Sequence, residues 1–395
     1  MRKSKVQLFH NALVVNQDFS GFEKKSLLVE SGQIMALDVS RKIEKIILSR
    51  KNIQVEEINL HRQHVLPAFI ECHTHSLFAG SRADEFELRN NGLSYLEIAR
   101  LGGGILSTMK HTRRETADNL LSSTKKRVDQ FIKQGVATVE IKSLQVIQDL
   151  ESLYTAKKRP RIVSTFLGAH AKPPEFQSYS DYLNYLANKV LPLIKKKKLS
   201  KRVDIFVEKN FFEVPDAEQY LKVAQDLGFQ ITIHANQLSL SGGAELALKL
   251  KAHSADHVIH LTNETIQAYA QAKTIPVLLP AADLYMKCPY PNARALIDAG
   301  VKVALATDFN PGSCPTQDLS LVGLLARLEM KMTLSEVFKA YTLHAAYALG
   351  LQDEEGSLDL GKKANFICTY AELSDFFYSA GSMPEHQLFI RGNRY

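Results

Sequence analysis

Residues 65–75 read VLPAFIECHTH, an apolar run that ends in two histidines separated by a single residue. A run of this length without polar alternation is typical of a strand buried on both faces of a parallel sheet. Side chains two positions apart on a strand point to the same face, so His73 and His75 should project together from the end of this strand. Cys72 should point to the opposite side, where we expect it to pack.

Seven further apolar runs follow, separated by stretches with helical spacing, and this alternation predicts parallel βα units. Eight such units match an α/β fold of the (β/α)8 TIM-like barrel class, which typically takes ~250 residues. An open doubly wound sheet is the alternative, but it usually carries a glycine-rich turn after its first strand, where this chain has His-Thr-His. The eight runs are residues 65–73, 137–142, 161–169, 203–208, 229–235, 254–260, 275–281 and 301–308.

The two ends of the chain have a different pattern of short strand-like runs. In the N-terminal part these runs are residues 6–15, 25–30, 33–39, 44–48 (EKIIL) and 55–60, and in the C-terminal part 365–370 and 386–392. Chain termini often lie close together. We therefore expect residues 1–64 and 350–395 to form one small composite β-sheet domain beside a barrel of residues 65–349.

Composition excludes several classes of protein. The 395 residues are 45% hydrophobic and 23% charged, unlike disordered, collagen-like or coiled-coil chains. No apolar run approaches the ~18 residues of a membrane span, and no export signal is recognisable. The net charge is +7, but the basic residues are dispersed, so we expect neither a nucleic-acid nor a membrane partner. The cysteines form no CxxC pair and fit a reducing cytoplasm; they are Cys72, Cys288, Cys314 and Cys368.

Side chains that commonly bind metals stand at the predicted strand ends: His73 and His75 at the first, His234 at the fifth, His257 at the sixth and Asp308 at the eighth. The carboxyl ends of barrel strands meet at one rim, where such enzymes carry their catalytic groups. Three imidazoles and one carboxylate suit one Zn²⁺ or Fe²⁺ ion that activates water. We predict His73, His75, His234 and Asp308 as ligands, and His257 with Asp308 as catalytic residues. For His257, a histidine bonded to a backbone carbonyl is the alternative.

Several longer segments resemble metal-dependent amidohydrolases and, within that superfamily, the imidazolonepropionase family most closely. They are HTHSLFAGSRADEFELR (73–89), GGGILST (102–108), FLGAHAKPPEF (166–176), IHANQLSLSGGAEL (233–246), SADH (254–257) and ALATDFNPGSCPT (304–316). The resemblance implies a cytoplasmic hydrolase in histidine degradation that opens the ring of 4-imidazolone-5-propanoate to N-formimidoyl-L-glutamate. It also implies one divalent metal ion, zinc or iron, and a small-molecule substrate, and it allows a homodimer.

The same resemblance implies the substrate contacts. Arg82 matches the arginine expected to hold the propionate group, and a planar guanidinium suits a carboxylate. His170 matches a histidine that contacts the substrate ring, and Gln237 stands where the family has Glu or Gln. The Asn-Pro-Gly sequence in the last segment matches a substrate-contacting loop, although it is also a common turn. The loop residues implied to contact substrate are Asn310, Gly312 and Ser313.

One segment departs from the family pattern. After the second strand the family continues from its serine into a Gly-Tyr-Gly-Leu loop, whose tyrosine is expected to contact the substrate. Here Ser143 is followed by LQVIQDLESLY, in which Ile147, Leu150 and Tyr154 have helical spacing. We therefore expect the loop and its tyrosine to be absent, with a connection of one residue, which is short for a βα loop.

Two other functions remain open at this point. One is an amidohydrolase such as a nucleobase deaminase, against which Arg82 argues as a partner for a carboxylate. The other is a catalytically weak metal-binding homologue that lacks the substrate loop after Ser143. Dinuclear amidohydrolases bridge two metals through a lysine at the fourth strand, where this chain has Lys209. We expect a mononuclear site in which Glu208 orients substrate or a ligand.

Overall fold

The computed structural model describes residues 4–50, 52–93 and 95–395, and within these ranges sixteen strands form two sheets of eight. The strands are β1 (Ser4–Val15), β2 (Phe22–Glu30), β3 (Gln33–Asp38), β4 (Ile53–Asn59), β5 (His64–Pro67), β6 (Phe69–Glu71), β7 (Val136–Ile141), β8 (Arg161–Ala169), β9 (Arg202–Val207), β10 (Gln230–Ala235), β11 (Ser254–His257), β12 (Ile275–Leu278), β13 (Ala304–Leu305), β14 (Phe366–Thr369), β15 (Gln387–Ile390) and β16 (Asn393–Arg394).

Most of the helices lie in the chain between the strands β6 to β13. They are α1 (Ser40–Ser49), α2 (Ala83–Asn90), α3 (Tyr95–Arg100), α4 (Ile105–Arg114), α5 (Ala117–Lys133), α6 (Ile147–Ser152), α7 (Tyr179–Tyr185), α8 (Leu191–Lys197), α9 (Val214–Asp226), α10 (Gly243–Lys249), α11 (Asn263–Ala270), α12 (Pro280–Met286), α13 (Ala293–Asp298), α14 (Leu319–Leu328), α15 (Leu334–Tyr341) and α16 (Leu343–Leu349). A π-helical turn, Leu186–Val190, joins α7 to α8, and Leu373–Asp375 form a 3-10 turn.

Strands β6 to β13 form a sheet in which each strand runs parallel to its sequence neighbour. The first and last of them meet just past their ends, where Thr74 bridges Phe309, and the His75 amide donates to the Phe309 carbonyl at 2.9 Å. All eight strands overlap the predicted runs. The α/β barrel that the sequence predicts is therefore confirmed.

The second sheet unites the two ends of the chain, as expected. Its order is β16-β15-β14-β5-β1-β2-β3, with β4 also beside β1. Strand β5 is the junction, since it pairs in parallel with β1 and antiparallel with β14. Thus the predicted run 65–73 is divided: β5 belongs to the small sheet and β6 to the barrel. The break follows from pairing, because the Ala68 amide donates to the carbonyl of Asn365 next to β14.

One predicted strand is wrong. EKIIL (44–48) lies in helix α1, which packs on β2 and β3. Ile43 is fully buried there and Ile47 packs against the same cluster, one helical turn further on. A spacing of four residues between apolar side chains favours a helix, and this outweighs the β-propensity of the isoleucines.

The helices around the barrel are amphipathic, and α5 shows how the sequence determines them. Thr116 accepts a hydrogen bond from the Asn119 amide and so caps the first turn. The helix buries Leu120, Val128 and Phe131 against β7 and the barrel core. Among the residues that the structure describes, we find no helix with the length and apolar character needed to cross a membrane.

Candidate active site

The carboxyl ends of β6, β10, β11 and β13 bring all five predicted ligand and catalytic residues together. The His73 ring lies 4.6 Å from that of His234 and 5.4 Å from that of His75, centroid to centroid. Oδ1 of Asp308 lies 3.3 Å from Nε2 of His73 and 3.4 Å from Nε2 of His75. The His257 ring completes the group, 5.4 Å from that of His234.

The backbone leaves the extended conformation where two of these residues stand. His257 has φ +75° and Asp308 φ +53°, a left-handed region that non-glycine residues seldom occupy. In a regular strand, His257 would point away from the face to which Asp256 points. The change of conformation allows Asp256 and His257 both to approach His73. Such a conformation costs ~1–3 kcal/mol and persists at functional sites where surrounding structure holds it.

The buried polar atoms at the centre of this group fit a metal ion. Nε2 of His73, Nε2 of His234 and Oδ1 of Asp308 are buried and have no hydrogen-bond partner among the described residues. An unsatisfied buried polar atom costs ~1–3 kcal/mol, which coordination to a cation would offset. Ligand atoms of His73, His75 and Asp308 lie within 4.8 Å of one another, and so do those of His73, His234 and His257. Both triplets contain His73, and a third group that could hold an ion is formed by Asp204, His234 and Asp256.

A second layer of charged residues lies below the histidines. Nδ1 of His73 donates to Oδ2 of Asp256 at 2.7 Å, and Nδ1 of His234 lies 3.0 Å from Oδ2 of Asp204. Nζ of Lys142 lies 2.7 Å from Asp204 Oδ2 and 3.2 Å from Asp256 Oδ2. Sequence reasoning missed these residues. The signal was present, because Asp204 and Asp256 are charges inside apolar runs at positions that share a strand face with barrel-lining residues.

The protonation state of His257 suits a proton acceptor. Burial, above all, lowers its pKa to about 4, although the charge of Asp308 opposes that effect. The imidazole is therefore neutral near pH 7, and its buried Nδ1 has no hydrogen-bond partner among the described residues. The alternative for His257, a hydrogen bond to a backbone carbonyl, is therefore not found at Nδ1 among the described residues.

A cavity of about 310 Å³ opens above the histidines. Its wall includes His75, His257 and Asp308, which connects the histidine group to a space large enough for a small ligand. Of the residues predicted to contact substrate, the wall contains Arg82, His170, Gln237, Asn310 and Ser313; others that line it are Thr108, Met109, Arg113, Lys142, Phe206 and Met286.

Arg82 is almost fully buried, with 8% of its surface exposed. Its Nε donates to Glu85 Oε2 at 2.8 Å, and the other carboxylate oxygen of Glu85 accepts from the Gly104 amide at 2.9 Å. Gly312 lies behind the guanidinium and outside the cavity wall. A Cβ on Gly312 would stand 2.0 Å from Nη1 of Arg82, so a glycine is required for the arginine to occupy this place.

Side chains that follow the strands hold the other walls. His170 stacks on His75, with ring centroids 5.1 Å apart and planes 14° apart. Oδ1 of Asn310 accepts from the amides of Gly312 at 2.9 Å and Ser313 at 2.7 Å, which fixes the turn after β13. Asn310 therefore shapes the loop that the resemblance associates with substrate.

The loop after β10, which carries Gln237, is held by Glu208. That carboxylate accepts from the Leu238 amide at 2.8 Å and from the Ser239 amide at 3.3 Å. Lys209 is exposed, whereas the metal-ligand candidates are buried or nearly so. Glu208 therefore positions the loop that carries Gln237, and Lys209 is exposed.

The connection after β7 is longer than predicted. Strand β7 ends at Ile141 and α6 begins at Ile147, so residues 142–146 link them. A one-residue connection was wrong, because α6 begins at Ile147, the first of the helically spaced residues, and not directly after Ser143. Ser143 and Gln145 line the cavity, and no tyrosine is among the described residues of its wall.

Comparison with known proteins identifies the family. Residues 64–395 match the model of the amidohydrolase family. An imidazolonepropionase of Bdellovibrio bacteriovorus is 51% identical over 386 residues, covering 96% of this chain and 91% of that protein. An imidazolonepropionase of Clostridium tetani is 39% identical, covering 87% of this chain and 84% of that protein.

A solved structure supports the fold independently of close sequence identity. An adenosine deaminase from Xanthomonas campestris with bound zinc superposes with a TM-score of 0.74 at 17% identity, covering 100% of this chain and 93% of that one. The family match and the two relatives identify the family as well as the fold. The chain belongs to the amidohydrolase family and, within it, to the imidazolonepropionases, hydrolases of histidine degradation that act on a cyclic amide.

Proposed function

We propose that the histidine group and the Arg82 wall together open the ring of 4-imidazolone-5-propanoate to N-formimidoyl-L-glutamate. One observation supports the assignment of this reaction to the site. The cavity that exposes His75, His257 and Asp308 also contains Arg82, a buried cation suited to the propionate group. A neutral purine or pyrimidine brings no carboxylate to the guanidinium of Arg82, which already pairs with Glu85, so the geometry disfavours a nucleobase deaminase.

We assign His73, His75, His234 and Asp308 as the residues that hold one divalent ion, zinc or iron. The proximity of Asp308 Oδ1 to Nε2 of both His73 and His75 supports this set, and Nε2 of His234 is buried without a hydrogen-bond partner among the described residues. Such an ion, when bound, supplies Lewis acidity that makes water a nucleophile near pH 7. Imidazole and carboxylate ligands suit both metals.

The chain's own residues would orient the substrate and move the proton. Arg82 holds the propionate, and the stacked rings of His170 and His75 restrict the position of the imidazolone ring. Neutral His257 accepts a proton from the attacking water, and Asp308 accepts a hydrogen bond from it. Water oxygen bonds to the ring carbonyl carbon, the bond from that carbon to the ring nitrogen breaks, and His257 returns the proton to the nitrogen.

We also infer that the protein works in a reducing compartment. All four cysteines are free, and three are buried, which supports a cytoplasmic location. An association into homodimers remains a prediction.

The test is a spectrophotometric assay of the loss of freshly generated imidazolone propionate, with protein loaded with Zn²⁺ or with Fe²⁺. We expect turnover with at least one metal, together with loss of most bound metal in His73→Ala and His234→Ala by elemental analysis. Circular dichroism should show that both variants fold. Full metal occupancy in both would reject the ligand assignment, and a metal-loaded protein without turnover would favour the catalytically weak homologue.

A further inference from the structure

A lysine and three carboxylates are buried together inside the barrel, below the histidines. Nζ of Lys142 lies 2.7 Å from Asp204, 3.2 Å from Asp256 and 3.3 Å from Glu140. All four side chains are at most 1% exposed. Glu140 lies in β7 and Lys142 just after it, Asp204 lies in β9, and Asp256 lies in β11. The cluster therefore connects three separate strands of the barrel.

Charge balance makes the lysine important for these carboxylates. An unpaired buried charge is strongly unfavourable, and removal of one partner of a buried ion pair is strongly destabilising. Within the part of the chain that the structure describes, Lys142 is the cation within 4 Å of all three carboxylates. Its ammonium therefore compensates part of the charge of these buried carboxylates and holds Asp204 and Asp256 close together.

Those two carboxylates each face a different predicted metal ligand. Asp256 accepts from Nδ1 of His73 at 2.7 Å, and Asp204 lies 3.0 Å from Nδ1 of His234. The carboxylate of Asp256 holds the proton on Nδ1 of His73, leaves Nε2 of that ring free to coordinate and fixes its rotation. Asp204 lies beside Nδ1 of His234 without hydrogen-bond geometry, so it restricts that ring by proximity. The two rings depend on two carboxylates that share a single ammonium.

We propose that Lys142 is a positioning residue of the metal centre: by holding Asp204 and Asp256 it orients His73 and His234 and so determines metal affinity. The proposal rests on the ligand assignment made above. Lys142 also reaches the cavity wall, so the alternative is direct contact with the substrate. The two roles can be distinguished, because only a positioning role would make substitution of Lys142 change the metal site in the absence of substrate.

The experiment compares Lys142→Met, which removes the charge with little change in size, with Lys142→Arg, which keeps it. The matched control is Lys209→Met, since Lys209 is exposed. Two measurements need no activity: the dissociation constant for Zn²⁺ by chelator competition, and the visible spectrum of the Co²⁺-loaded protein, which reports ligand geometry. We expect Lys142→Met to bind Zn²⁺ ~10–100-fold more weakly and to change the spectrum, as loss of other outer partners of ligands does. Lys142→Arg should be closer to wild type.

Asp256→Asn provides an independent variant if Lys142→Met does not fold. It should weaken Zn²⁺ binding. In the double variant, the fold-loss of Zn²⁺ affinity should be less than the product of the fold-losses of the two single variants, because both act through His73. Unchanged Zn²⁺ affinity and Co²⁺ spectrum in Lys142→Met, with only KM raised, would overturn the proposal in favour of substrate contact. An error in the ligand assignment would be recognised separately, since His73→Ala would then bind Zn²⁺ like wild type.

Discussion

The absence of a Cβ at Gly312 leaves the space that Arg82, the proposed partner of the substrate carboxylate, occupies. In Gly312→Ala the new methyl group would coincide with the guanidinium of Arg82, which must then move. We expect KM to rise ~10-fold or more, as for loss of a charge-assisted contact of ~1.5–3 kcal/mol, with metal content unchanged. Steady-state kinetics and elemental analysis test this. Gly21→Ala is the control, because its Cβ would meet its nearest neighbour at 4.0 Å. Unaltered KM in Gly312→Ala would show that Arg82 does not hold the substrate.

His257 should act on the proton without holding the metal. His257→Asn keeps a polar side chain of smaller size but cannot accept and return a proton, so kcat should fall ~10²–10⁴-fold. Metal content should remain near that of wild type. Parallel loss of metal and activity would instead make His257 a ligand with His73 and His234, the other triplet that the geometry allows.

At the scale of single residues, the sequence predicts those whose position on a strand is enough to place them. His73, His75 and Asp308 were found in this way, because strand ends of a barrel meet at one rim. The partnership of Lys142 with Asp204 could not be found, since it depends on contact between strands that are not adjacent. The role of Gly312 likewise depends on a contact with Arg82, far away in the sequence.

At the scale of elements, the connection after β7 is the clearest departure from the family pattern. Residues 142–146 form it, and Val146 has φ +51° before α6 begins. A Gly-Tyr-Gly-Leu-containing insertion of about ten residues between Ser143 and Leu144 should raise kcat/KM by a factor of ~5–150, because a hydrogen-bonding contact is worth ~1–3 kcal/mol. Loops tolerate such insertions at little cost in stability.

The matched control for that insertion replaces its tyrosine by phenylalanine, which should remove most of the gain. Kinetics of the two inserted forms and of the natural chain decide the matter. Turnover of the natural chain at an ordinary enzymatic rate, ~1–10³ s⁻¹, would mean that the loop is dispensable.

Element boundaries were harder to predict than element types. The barrel strands were recognised as apolar runs, but run 65–73 contains two strands of different sheets. The sequence does not show where β5 of the small sheet ends and β6 of the barrel begins, because both strands are fully buried and have the same apolar pattern. Helix α1 was missed for a different reason: two isoleucines that favour strands also have helical spacing.

At the scale of the whole molecule, the two sheets are joined by polar contacts as well as by β5. Glu355, which is 3% exposed, accepts from Arg161 at 3.0 Å and Lys363 at 3.1 Å, and also bonds to Thr138. Arg161 and Thr138 belong to β8 and β7, while Lys363 precedes β14. The division at residues 64 and 350 stays a prediction, but these contacts show how closely the C-terminal segment is attached to the barrel.

Two half-buried histidines outside the site, His253 and His344, should make the stability of the whole fold depend on pH. Burial is the main reason that the pKa of His253 and that of His344 are each lowered to about 4. In the unfolded chain a histidine titrates near ~6.5, so between that pH and about 4 the unfolded state binds more protons. The free energy of unfolding should therefore fall as pH falls through this window, by at most ~1.4 kcal/mol per pH unit for each histidine.

Urea unfolding of the metal-free protein at pH 7.5 and pH 5 measures this effect without a contribution from metal loss. The decrease in the free energy of unfolding between the two pH values should be smaller in His253→Gln and in His344→Gln than in wild type. His61→Gln is the control, because His61 is exposed, and it should leave the decrease unchanged. If His253→Gln and His344→Gln both lose as much stability between pH 7.5 and pH 5 as wild type does, protonation of these two histidines does not accompany unfolding. The acid sensitivity of the barrel must then come from its active-site histidines.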